Sequence, residues 1–476
     1  MTVDVNSLSA ARQEVLQQFL QGKLSLRSAE SSIQPIPRDA VAPLSLAQEQ
    51  MWRQSLEVPI PLYNESITLY RNGPLKIEVL EQSIAEIIRR HEIWRTSYDV
   101  IDGSPSQIVQ AFDSLPLFLV DLRSAPEEER HALALHVATE DARRPFDLRA
   151  GPLLRAQLIR MDEEVYRLAI TAHLSIVDGV SVYQIFPREL ATLYNAFCAG
   201  RPSPLPELSI QYRDFAHWQR KWFLDHEMER QLEYWRTQLG GELRPLDWPR
   251  VSRPSVRTFR GATHSCNFPI EILLGIRNLC RNTVTTIFTV LEATLTMLLC
   301  RYTSQTDIIV GTFCPAGRKR SEVQPLLGHF LNPLPLRVGL SDDPTFLELI
   351  KRAQLVISAA ISHDDVPLEL LAHELLTSLN QSRHPFFTVG ISLQPRTSPT
   401  ESGWDVTSMD ASSGGAIWDL YMAFIERPDQ LLGRIQFNSD LFDLQVIEQF
   451  VQDFSALLKA ATAHPEQRVS QLTSGI

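Results

Sequence analysis

The stretch Val165-Tyr166-Arg167-Leu168-Ala169-Ile170-Thr171-Ala172-His173-Leu174-Ser175-Ile176-Val177-Asp178-Gly179 decides how the chain is read. Side chains alternate across a strand, so Tyr166, Leu168, Ile170 and Ala172 share one face, and Arg167, Ala169, Thr171 and His173 the other. A helix is predicted from about Ser181 to Cys198, stopped by Gly200 and Pro202. Asp178-Gly179 therefore falls between a strand and a helix N-terminus. A glycine there lets backbone approach closely, and its N–H can face an oxyanion. Taken alone, the dipeptide also reads as a common turn. Pro187, inside the predicted helix, is expected to kink or break it.

Outward from this stretch, helices and strands alternate from Pro43 to about residue 220. Leu80, Ile84, Ile87 and Ile88 mark a helix over Val79 to Arg90, and Trp94 to Tyr98 reads as a strand. Residues 203–260 look like a crossover that includes a helix over Asp225 to Leu239. A second series follows: a segment from Phe268 to Cys280, a helix through Leu291 to Tyr302, and a strand over Asp307 to Phe313, with further elements to Leu441. Thr397 to Gly415 is expected to be a mobile loop. At the front, Leu8, Ala11, Val15, Leu16, Phe19 and Leu20 recur at helical spacing within Ser7 to Leu20, and the Ser- and Pro-containing residues 24–43 read as a loose linker. That helix is either a docking element for an upstream protein or packed on the body. The expected organisation is 1–43 helix and linker, 44–220 first lobe, and 221–476 second lobe including the crossover.

The 476 residues carry 45 Lys+Arg against 56 Asp+Glu, a net charge of -11 that argues against nucleic acid as the main partner. The five cysteines form no CxxC pair and are odd in number, the usage of reduced thiols rather than of disulfides or a zinc site. No apolar run approaches the roughly 20 residues of a membrane span, and no signal segment is evident, so a soluble, cytoplasmic protein with no membrane partner is expected.

Seven stretches resemble, in order, the signature motifs of nonribosomal peptide synthetase condensation domains. They are Ser45 to Trp52, Arg90 to Thr96, His173 to Gly179, Tyr212 to Trp218, Gly328 to Pro333, His363 to Glu369, and Ser382 to Pro385. The resemblance covers about residue 44 to the C-terminus. It implies an α/β fold of two chloramphenicol-acetyltransferase-like lobes set in a V around a substrate tunnel. It also implies an upstream and a downstream carrier protein that bring donor and acceptor on phosphopantetheine arms, and neighbouring synthetase or polyketide synthase modules. No metal and no directly bound cofactor are implied. A polyketide–peptide hybrid line is suggested only by a loose similarity around Asn332 and Trp418-Asp419-Leu420.

In the family the third motif reads His-His-x-x-x-Asp-Gly, and the second histidine is the one given the proton-moving role, a role worth on the order of 10²–10⁴-fold. Here that position is Leu174, which neither accepts nor donates a proton. His173 matches the first, structural histidine. Its action as a base would need a strand-end distortion to turn its ring into the right compartment. A single-histidine His-x-x-x-Asp pattern does not apply, because four residues separate His173 from Asp178. The resemblance gives Asp178 an architectural role with an arginine of the second lobe, for which Arg318 is the candidate, and Gly179 a place in the reaction loop. Tyr212, Asp214 and Trp218 read as packing between lobes, Asn332 and Ser382 as polar groups of the tunnel, and Arg90, Glu92 and Arg95 as a charge network. His329, His363 and His384 read as structural histidines. Heterocyclization relatives would have aspartate where His173 stands, and epimerization relatives Ser-Trp where Ser181-Val182 stands, so neither subtype fits.

Two functions follow. One is a carrier-binding relative with weak or lost amide formation, which passes or gates an intermediate or recruits a tailoring enzyme. The other is an active domain that relies on substrate positioning, with His173 or backbone groups assisting. A free-standing acyltransferase using a small thioester fits less well, because no nucleotide site is suggested.

Overall fold

The computed structural model describes residues 32–58, 60–111, 115–223, 228–376, 383–395, 403–407 and 411–475. The predicted helix at Ser7 to Leu20 and the motif residue Ser382 lie outside the described residues.

The first half supplies β1 (Ala42–Pro43), β2 (Asn64–Asn72), β3 (Thr96–Ile101), β4 (Ser104–Val109), β5 (Leu117–Asp121), β6 (Leu154–Asp162) and β7 (Val165–His173). The second supplies β8 (Gly261–Phe268), β9 (Asp307–Cys314), β10 (Asn332–Gly339), β11 (Val389–Leu393), β12 (Trp404–Thr407), β13 (Leu420–Glu426) and β14 (Leu431–Asn438). They form a small sheet β1-β4-β3 and two large ones, β12-β2-β7-β6-β5 and β10-β9-β11-β13-β14-β8.

Alternation along β7 sorts its side chains onto two cores. Tyr166, Leu168, Ile170 and Ala172 join a cluster with the apolar faces of the helices Ile77–Arg90 and Phe186–Cys198. Ala169 packs the other way, against Ala134 and Ala138 of the helix Glu127–Ala142. The six-stranded sheet has its own core with the helices Ile270–Thr283, Ile287–Thr303 and Leu444–Ala463. No single described helix is long and apolar enough to cross a membrane. The bent pair Ile270–Thr283 and Ile287–Thr303, which together pass that test, is packed in this core.

Several expectations are corrected. The predicted mobile loop Thr397 to Gly415 contains β12, which pairs antiparallel with β2 and buries Trp404 and Val406 in the first core. The second half thus lends an edge strand to the sheet of the first, so the sheets do not divide at residue 220. Residues 32–43 are not loose chain. Ile33 is buried, Asp214 accepts from the Ile36 N–H at 2.9 Å, and Arg213 donates to the carbonyls of Arg38 and Ala40. The strand expected to begin at Trp94 begins at Thr96, because Glu92–Arg95 winds as a 3-10 turn. Pro187 breaks nothing. Ser181–Ile185 forms a π-helical turn, the α-helix starts at Phe186, and in its first turn a proline's missing N–H and fixed φ are tolerated.

Candidate functional site

The loop after β7 sits where the two halves meet. The His173 N–H donates to the Leu153 carbonyl at 2.9 Å, the Leu174 N–H donates to the Tyr63 carbonyl at 2.7 Å, and Leu174–Ile176 closes a 3-10 turn. Position 174 has therefore left the strand, and strand alternation no longer governs where its side chain points.

His173 is enclosed. Its Nδ1 accepts from the Ser175 N–H at 3.3 Å and lies 2.7 Å from the Ser175 hydroxyl. Tyr98 donates its hydroxyl to Ser175 Oγ at 2.8 Å, and Gln48 Nε2 donates to both the Tyr98 oxygen and the Ser175 carbonyl at 3.1 Å. With the Nδ1 lone pair engaged, the ring proton belongs on Nε2, 3.4 Å from Ser55 Oγ. Tyr63 and Phe146 meet the ring edge-on. Burial, and secondarily the neighbouring His329, push the His173 pKa down to about 3, so the ring is neutral.

Leu174 is half-buried. It packs against Met51, Leu62 and Tyr63, a cluster that also receives Phe259 and Ile417 from the second half. Phe259 holds the left-handed backbone conformation at φ 56°, which is rare for a bulky residue.

Asp178 and Arg318 meet across the halves. Arg318 Nε and Nη2 donate to Asp178 Oδ2 and Oδ1, each at 2.8 Å, and Nη2 also donates to Ser181 Oγ at 2.9 Å. The Ser181 N–H adds a 2.8 Å bond to Asp178 Oδ1. Burial alone would raise the Asp178 pKa. The Arg318 charge and these hydrogen bonds together outweigh it and hold the carboxyl below its ordinary range. Gly179 faces the second half so closely that a Cβ there would come 2.8 Å from Gln394 Oε1 and 3.3 Å from Pro395 Cδ.

Sequence reasoning set His329 aside as structural, yet its ring stands beside the loop after β7. Nδ1 donates to the Val177 carbonyl at 3.1 Å, and the ring borders a cleft with Ser45, Gln50, Asn332 and Asp364. Burial lowers its pKa, against the opposing pull of Asp178. Only its place in the Gly328 to Pro333 motif could have drawn attention to it. Gly328, at φ 148°, allows this segment to pass Tyr212, where a Cβ would lie 2.2 Å from Cδ2.

The other candidates are tied into the frame. The Tyr212 hydroxyl bonds the His329 carbonyl and lies 3.0 Å from Ser45 Oγ. Besides holding Ile36, Asp214 accepts from the Gln211 N–H at 2.7 Å as a helix cap. Trp218 lies between the Arg320 guanidinium, 4.7 Å from its ring, and the stacked Trp222. Asn332 donates its amide to the carbonyls of Asp364 and Val366, both at 2.7 Å, which turns its own carbonyl oxygen away from them. Arg90, Glu92 and Arg95 do not form one network. Arg90 and His91 share the buried Glu189 at 3.1 and 2.9 Å, whereas Glu92 faces Arg38 and, at 3.7 Å, Arg95. Nothing in the sequence pointed to Glu189. Among the described residues no group of His, Cys, Asp and Glu is arranged to hold a metal ion, and all five cysteines are free.

Comparison with known proteins bears on what this arrangement serves. A family model described as Condensation domain matches residues 38–474. A linear gramicidin synthase of Brevibacillus parabrevis is 37% identical over 473 residues, which cover 98% of this chain but 6% of that protein. The chain therefore corresponds to a small part of that relative. A solved complex of the X-domain and OxyB from teicoplanin biosynthesis matches with a TM-score of 0.77 and 27% identity, covering 93% of this chain and 98% of that one. The first condensation domain of the calcium-dependent antibiotic synthetase matches with a TM-score of 0.81 at 20% identity, covering 91% and 99%, and shares the fold of two chloramphenicol-acetyltransferase-like lobes.

Proposed function

The chain belongs to the condensation-domain family of nonribosomal peptide synthetases, and from that premise we propose that it receives carrier-borne donor and acceptor substrates while forming their amide slowly or not at all. The substrates ride on phosphopantetheine arms of an upstream and a downstream carrier protein, within a line of neighbouring synthetase or polyketide synthase modules. One observation carries the reading. At the position where the family places its proton-moving imidazole, the Leu174 side chain packs on an apolar cluster, and the adjacent His173 is closed into its own hydrogen-bond network.

The remaining help for the reaction is proximity. Two tethered substrates held together gain a large effective molarity, and a thioester is already activated. What position 174 no longer supplies is a side chain to take the amine proton as the tetrahedral intermediate forms.

The test loads donor and acceptor carrier proteins, adds the chain, and follows condensed product by intact-protein mass spectrometry. Little or no product is expected from the native chain, and a gain from Leu174→His once circular dichroism shows that variant folded. Rapid turnover by the native chain overturns the reading.

A second reading, recruitment of a tailoring enzyme, draws support from the 27% identity to an X-domain solved as a complex with OxyB. It predicts that a native chain giving no product still binds a modifying enzyme of its own assembly line, measurable by calorimetry.

A further inference from the structure

Beside the apolar cluster that Leu174 joins, the second half gathers positive charge in a nearly closed place. The crossover brings in Arg253 and Arg257, and the segment before β11 brings in Arg383 and His384. Arg253, Arg257 and His384 approach the chain just ahead of β13, at Asp419, the Ile417 carbonyl and the Trp418 ring, and Arg383 adjoins His384 in the sequence. Arg253 Nη2 meets Asp419 Oδ2 at 2.6 Å, with side-chain exposures of 8% and 4%. That contact uses one corner of the guanidinium. Arg253 Nε and Nη1 are buried without a hydrogen-bond partner among the described residues, and so is His384 Nδ1. Arg257 donates to the Ile417 carbonyl and lies 4.3 Å over the Phe259 ring, and Arg383 Nη1 donates to the Leu246 carbonyl at 2.7 Å. Arg257 and Arg383 both feel Asp419 and Arg253 electrostatically, and His384 feels Arg257, so these groups share one neighbourhood.

Among the described residues the charges do not balance. Three guanidinium groups share one neighbouring carboxylate, Asp419, which leaves two positive charges; Asp247, the next carboxylate toward Arg383, is exposed and pairs with Arg250 at 3.4 Å. Buried charged donors left without acceptors are strongly disfavoured, so the arrangement calls for an anion. Planar N–H forks suit tetrahedral and carboxylate oxyanions alike, but an excess of two charges favours a dianion.

We propose that Arg253, Arg257, Arg383 and His384 form an oxyanion site for a ligand of the phosphate class. Asp419 orients Arg253 and limits the affinity. Arg257 borders the Leu174 cluster through Phe259 and Ile417, but the proposal does not rest on the catalytic reading above. Free phosphate and the phosphodiester of a carrier's pantetheine arm both present such oxygens; the diester carries one negative charge, so the charge excess favours the free dianion.

The experiment is thermal unfolding of the full chain titrated with inorganic phosphate, against chloride at matched ionic strength, and with a phosphopantetheinyl-serine peptide. Phosphate is expected to raise the midpoint saturably; at 100 times Kd the folded-to-unfolded ratio rises roughly 100-fold. Arg257→Gln should abolish the dependence, and Asp419→Asn should lower the Kd by removing the competing carboxylate. Tighter binding of the peptide assigns the site to a carrier arm, and tighter binding of inorganic phosphate assigns it to the free ion. Identical curves in phosphate and chloride, or loss of the phosphate effect in a folded Asp419→Asn, overturn the proposal.

Discussion

Arg318 grips Asp178 through two parallel 2.8 Å hydrogen bonds, and the two side chains are 4% and 0% exposed. One residue comes from the loop after β7 and the other from the turn after β9, so the contact joins the halves of the molecule. Arg318 also donates to the Leu326 carbonyl at 3.1 Å and lies 4.4 Å over the Phe330 ring. The arginine is held from several sides, and the carboxylate is held by it.

Removing one partner should therefore cost more than removing both. Arg318→Leu leaves Asp178 buried and uncompensated, at an expected cost of about 3–5 kcal/mol. Asp178→Asn combined with Arg318→Leu should be less destabilised than Arg318→Leu alone. Because the folded-state pKa of Asp178 lies below its unfolded value, the pair's contribution is present above the ordinary aspartate pKa and is lost as pH falls through the folded value. Urea unfolding at pH 7 and at about pH 3, below the ordinary aspartate value, checks both statements: the gap between native chain and double variant should narrow at the lower pH.

His173 should behave as a fixed neutral ring. Its pKa near 3 means that its Cε1–H chemical shift stays constant between pH 5 and 8 in NMR spectra. The sign for stability follows from the depressed value. The unfolded ring gains a proton below about 6.5 and the folded ring does not, so this histidine's contribution falls from pH 6.5 toward 3. A resonance that titrates near 6.5 and disappears in His173→Gln would show the ring open to solvent and return it to consideration as a base.

How far the residues announced this architecture depends on the range of the interaction involved. The bounds of β7 at Val165 and His173 follow from alternation, a local property that each side chain obeys independently. The direction of Leu174 was not legible, because the 3-10 turn begins at that residue and the period of two ends with it. β12 was taken for part of a loop, since its Trp-Asp-Val-Thr sequence is too short to signal a strand and its partner β2 lies far away in the chain. Glu189 was missed for a similar reason. A carboxylate on a helix reads as a solvated group until tertiary packing places Arg90 and His91 against it.

The contact of Asp214 with residue 36 offers a test of how the front of the chain is attached. One carboxylate caps its own helix through Gln211 and pins the incoming segment through Ile36. Asp214→Ala leaves both N–H groups without this acceptor, at about 1–3 kcal/mol. It should also release the segment around Arg38, so that trypsin cuts there faster than in the native chain. Glu233→Ala, at an exposed carboxylate on another helix, serves as the control, and equal cleavage rates in the two variants would show that the attachment rests on the buried Ile33 instead.

Glu292 gives a stability effect of opposite pH sign. It lies in the core helix Ile287–Thr303, fully buried, with Thr296 donating to Oε1 at 2.9 Å and Oε2 without a partner among the described residues. Burial pushes its pKa up to about 7, against the smaller opposing effect of Thr296. With the folded value above the unfolded one, no cost arises below about pH 4.5, where both states are protonated. The cost grows as pH rises and is complete above 7. Glu292→Gln, which stays neutral throughout, should match the native chain at pH 4.5 and exceed it at pH 8 by on the order of 1–3 kcal/mol in urea unfolding. A variant no more stable than the native chain at pH 8 would mean that water or a rearranged partner already relieves the ionised carboxylate.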